Sequence, residues 1–60
     1  MPFTSILREV QRLYGVSESL ESLAEQHPVV SEALLSISGS IRNTATLLEV
    51  LVATKMARAK

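Results

Sequence analysis

Imidazole changes its charge near neutral pH, and the sequence carries a single one, His27. Acid–base catalysis through it would need a carboxylate partner, and the nearest acids in sequence are Glu25 and Glu32. Yet His27 directly precedes Pro28, which suits a turn or a cap better than a catalyst. One His and no Cys also leave too few ligands for a zinc centre. The serines, from Ser5 to Ser40, stand in no nucleophile motif and have no His–acid pair to activate them. They read as caps and small helix-contact residues. Gly15 and Gly39 are isolated from one another, so they form no phosphate-binding loop. Glu49 falls in the narrow polar gap of an apolar stretch, where it would face solvent and pair with Arg42 or Lys55. No catalytic, cofactor-binding or metal-binding residue is expected, and the chain is not expected to be an enzyme.

Five cations form a second group: Arg8 and Arg12, one helical turn apart, with Lys55, Arg58 and Lys60 near the other terminus. Brought together, they could contact the phosphates of a nucleic acid. Arg42 and Asn43 could reach base edges. Against this alternative stand a formal net charge of zero and only 3% aromatic residues for base stacking.

The elements that would position these residues are helical. From Leu13 onward, apolar residues recur in steps of three and four: Leu13, Val16, Leu20, Leu23, Val30, Leu34, Ile37, Ile41, Leu48 and Leu51. His27 and Thr44 are the polar members of that series. No strand-type alternation and no Asn-Gly or Asp-Gly turn interrupts it. Pro28 lacks an amide donor and holds His27 away from helical angles, so the turn falls at residues 26–28. A first helix over residues 5–25 and a second over residues 28–56 then make one all-α antiparallel hairpin of the whole 60-residue chain. Thr4 or Ser5 would cap the first helix, and Pro28 would sit at the first position of the second.

The two glycines are the weak points. Phe3 to Tyr14 share one arc of the first helix, while Val16, Leu20, Leu23 and Ala24 occupy an arc rotated by about 90°. Heptad drift accounts for only about 20° per seven residues. A break near Gly15, with Ser17 capping a second segment, is the alternative to a continuous helix there. Near Gly39 the stripe keeps its phase, which predicts a continuous second helix.

Size then bears on function. A chain of 60 residues and 6.5 kDa has little interior. Domains below about 70–80 residues usually need disulfides, a metal or association. Without Cys, and with one His, association remains. The end of the second helix points the same way. Its apolar arc, from Leu47 through Leu51, Leu48, Val52 and Ala45 and back to Val50, spans about 220°, against about 100° for an ordinary amphipathic helix. One antiparallel neighbour cannot cover that width.

The expected assembly is a homodimeric four-helix bundle with coiled-coil-like seams. Val30, Leu34, Ile37, Ile41, Leu48 and Leu51 would form the central seam, and Leu47, Val50 and Val52 the contacts beyond the intrachain partner. A foreign protein helix is the other occupant that such a surface would accept. Charge is segregated, with Glu18, Glu21, Glu25 and Glu32 flanking the turn and the basic residues at the open end. Antiparallel docking of two hairpins would bring opposite charges together. No stretch approaches the ~20 apolar residues of a membrane span, and no signal-like segment is evident, so a soluble cytoplasmic protein is expected. The expected function is a non-enzymatic self-association or protein–protein assembly module.

Overall fold

A computed structural model describes residues 3–58, with side chains through Met56. Two helices, α1 (Phe3–Gln26) and α2 (Ser31–Arg58), are joined by a single 3₁₀ turn (Pro28–Val30) and lie against each other along their lengths. The Cα envelope is a slab of 50 × 15 × 11 Å.

The turn follows from Pro28. His27 adopts φ −130° and ψ 77°, the extended backbone imposed by a following proline. Its amide still donates to Leu23 O at 2.9 Å, which completes the last turn of α1. Val30 N donates to His27 O at 3.1 Å, and Ser31 N to Pro28 O, so these two amides are paired as the chain reverses. Pro28 sits in the first turn of this segment, where its missing donor costs nothing.

Both helices run straight through their glycines. The break considered at Gly15 does not occur, and Thr4 and Ser5 lie inside α1, which begins at Phe3. The apparent 90° phase shift vanishes once small residues are counted. The inward positions of α1 are Phe3, Ile6, Val10, Leu13, Ser17, Leu20 and Ala24, an unbroken alternation of three and four. Val16 and Leu23, which suggested the shift, stand one position to the side and are exposed.

The matching positions of α2 are Ser31, Leu34, Ser38, Ile41, Ala45, Leu48 and Val52. Along this seam the fully buried residues are small or β-branched: Val10, Ser17 and Ala24 against Ser38, Ala45 and Val52. The larger residues that alternate with them (Ile6, Leu13, Leu20, Leu34, Ile41, Leu48) are only half-buried. Small side chains at the line of contact let the helix axes approach, and the larger ones lean out toward an edge.

The expected seam therefore needs correction. Leu34, Ile41 and Leu48 belong to it, but Val30, Ile37 and Leu51 are exposed beside it. Val52, expected to reach beyond the intrachain partner, is 3% exposed and packs inside the hairpin.

Candidate interaction surface

The seam divides the slab into two broad faces with different chemistry. One is polar. Residues spaced by seven on α1 (Leu7, Tyr14, Glu21) and on α2 (Leu35, Arg42, Glu49, Met56) line the same side of the seam. Tyr14 Oη donates to Glu49 Oε1 at 2.7 Å and lies 3.3 Å from Thr46 Oγ1. Arg42 Nη2 lies 2.8 Å from Glu21 Oε2, and its Nε donates to Ser17 Oγ at 3.2 Å. Ser38 Oγ donates to the Ser17 carbonyl at 3.0 Å and approaches Glu21 Oε2 at 3.3 Å. Ser17 Oγ in turn donates to the Tyr14 carbonyl at 2.8 Å. These bonds join α1 to α2 in antiparallel order, 14 with 46 and 49, 17 with 42, 21 with 38. They also satisfy the hydroxyls of Ser17 and Ser38, the two buried polar residues among those described.

Glu49 is thus held by Tyr14 rather than by Arg42 or Lys55, and Glu21 is Arg42's partner. The Arg42–Glu21 pair is 46% and 41% exposed, so it contributes about 0–1 kcal/mol and acts mainly to fix register.

The opposite face is aliphatic. By the same seven-residue spacing it carries Glu9, Val16 and Leu23 on α1, and Val30, Ile37, Thr44 and Leu51 on α2. Beside them lie the half-exposed flanks of Leu13, Leu20, Leu34, Ile41 and Leu48. The apolar stripe of each helix is therefore centred about 50° away from the line along which the helices touch. Part of the stripe closes the hairpin, and Val16, Leu23, Val30, Ile37 and Leu51 remain exposed on this face. Ile37 is 51% exposed and Leu51 46%. Thr44, the polar interruption on α2, donates its hydroxyl to Ser40 O at 3.0 Å and leaves no free donor.

The residues expected at a self-association interface thus separate into three groups. Ile37 and Leu51 lie on the aliphatic face, with Leu34, Ile41 and Leu48 at its inner edge. Leu47 and Val50, 62% and 55% exposed, lie on the back of α2, away from α1. Val52 is inside. The α1 contribution, Val16 and Leu23 with Leu13 and Leu20, belongs to the three–four series but is not among the residues expected at the interface.

Of the basic residues, Arg8 and Lys55 are exposed, and Arg12 is paired with Glu9 at 2.8 Å. The side chains of Arg58 and Lys60 lie outside the described residues. His27 is exposed at the turn and makes no side-chain cap bond. Among the described residues there is no pocket and no group of three potential metal ligands. Nor is any described helix long and apolar enough to cross a membrane.

Comparison with protein-family models, with curated proteins and with solved structures finds no match to this chain.

Proposed function

We propose that this chain is a non-enzymatic self-association module, in which two hairpins pack their aliphatic faces together as a homodimeric four-helix bundle. The displacement of the apolar stripe from the intrachain seam carries this proposal. A helical hairpin that worked alone would turn its Leu and Ile residues inward. Here the closest line of contact is filled by Ser, Ala and Val, while Val16, Leu23, Ile37 and Leu51 are left beside it.

Area supports the same conclusion. A compact monomer of 6.5 kDa exposes about 3,800 Å², whereas the hairpin exposes 4576 Å². The difference is on the order of 750 Å², close to the ~800 Å² that one partner contributes to a standard interface. A 50 × 15 Å face has about that area. Against an unfolded chain of about 9,400 Å², the hairpin alone buries only about half of its surface. A second copy supplies the missing burial. A cytoplasmic setting belongs to this proposal and accords with the absence of Cys.

Nucleic-acid contact through the basic end has less behind it, because Arg12 is engaged by Glu9 and the aliphatic face has no part in it.

Sedimentation equilibrium tests the proposal. The wild-type chain should sediment at twice 6.5 kDa. The double substitution Ile37→Glu with Leu51→Glu should sediment as a single chain, because each change would bury a charge in the joint. A wild-type mass of one chain at millimolar concentration would overturn it.

A further inference from the structure

We propose that the second copy docks end for end, with its α2 antiparallel to this α2 and the twofold axis passing at the level of Thr44. This docking mode rests on the self-association proposed above and specifies its geometry.

The distribution of charge between the two helices selects which helix lies against which. From Ala33 to Thr54, α2 carries only two charged residues, Arg42 and Glu49, and both belong to the polar face. The rest of its circumference, including the back with Leu47 and Val50, is uncharged. A helix apolar on most of its sides belongs at the centre of an assembly. By contrast, α1 carries Arg8, Glu9, Arg12, Glu18, Glu21 and Glu25, with Glu9 at the edge of the aliphatic face itself. Laying α2 on the partner's α2 joins two uncharged surfaces, while α1 lies on the partner's α1 with Arg8, Arg12, Glu18 and Glu25 turned to the outside. In the parallel alternative, each α2 lies over the partner's α1, so its uncharged column meets the helix that carries Glu9.

The ends select the direction. The turn half of the hairpin carries Glu18, Glu21, Glu25 and Glu32 against Arg42. The described part of the open half carries Arg8, Arg12 and Lys55 against Glu9 and Glu49. Turning one copy end for end sets acidic half against basic half, and parallel docking stacks like on like.

Thr44 selects the register. It is the one polar residue in the α2 column Val30, Ile37, Thr44, Leu51, and it lies at the middle of α2. In antiparallel pairing about that level it meets the partner's Thr44, while Ile37 meets the partner's Leu51, each two helical turns from the axis. Ile37 and Leu51, the apolar members nearest the axis, are then matched with each other. Because its hydroxyl is bonded to Ser40 O, Thr44 enters the joint without an unsatisfied donor.

The chain has no Cys, so single cysteines report the geometry directly. Thr44→Cys, Ile37→Cys, Leu51→Cys and Leu23→Cys all replace exposed residues, which leaves the hairpin intact. Each variant is first shown to be dimeric by sedimentation under reducing conditions, then oxidised in dilute solution. Thr44→Cys should form a covalent dimer by itself. An equimolar mixture of Ile37→Cys and Leu51→Cys should cross-link about tenfold more than either alone, given the narrow Cβ separation that a disulfide tolerates. Parallel docking would instead link Leu23→Cys with Ile37→Cys. That result, or a dimer in which no pair links, overturns the docking mode and leaves self-association standing. Single chains at every concentration overturn both.

Discussion

If folding and dimerisation are one reaction, the melting temperature must depend on protein concentration, and the structure sets the size of the effect. Each tenfold change in concentration is worth about 1.4 kcal/mol per dimer, so a hundredfold change is worth about 2.8 kcal/mol. Two chains of 60 residues unfold together. At about 2.1 cal/mol/K per residue, their unfolding entropy is about 0.25 kcal/mol/K. The midpoint should therefore rise by about 11 °C between, for example, 5 µM and 500 µM chain. Circular dichroism at 222 nm follows it directly, because the described chain is helical almost throughout. Leu51→Glu should flatten this dependence and lower the midpoint at high concentration, since Leu51 lies on the aliphatic face and not in the seam. Coincident wild-type melts over that range would refute the coupling. They would mean that the half-buried Leu and Ile residues of a single hairpin suffice for stability.

Further outcomes separate the seam from the surfaces around it. Val52→Ala removes two buried methyl groups and should destabilise by about 1.5–2.5 kcal/mol in urea melts. Val50→Ala, two residues away on the back of α2, should stay within about 0.5 kcal/mol of wild type. Gly39 has a helical backbone, and a Cβ built on it meets nothing within 4 Å, so Gly39→Ala should stabilise by about 0.5–1 kcal/mol in the same assay. At low salt the chain should show no retention on duplex DNA. Salt-sensitive retention that is lost on replacing Arg8 and Arg12 with Ala would instead favour nucleic-acid binding.

The helical period and the proline turn were legible from residue types alone, because they depend on interactions within a few positions. Pro28 restricts its predecessor whatever surrounds it, and α1 accordingly ends at Gln26. The excess of apolar surface on α2 was legible too, since an arc of about 220° exceeds what one neighbour covers. The side of each helix that touches the other was not. Hydrophobicity ranks Val16, Leu23, Ile37 and Leu51 above Ser17, Ala24, Ser38 and Ala45, so a stripe drawn by hydrophobicity is centred on the larger residues. Contact between two helices is decided instead by how closely their axes can approach, and that favours the smaller ones. Ser17 and Ser38 enter the seam because a neighbouring helix supplies their hydrogen-bond partners, the Ser17 carbonyl, Glu21 and Arg42. Those partners lie 17 to 25 positions away in sequence, where no local pattern reaches. Composition and period determined two helices and more apolar surface than they can hide from water. Only the packing of one helix on the other decided which residues close the hairpin and which are left on its aliphatic face.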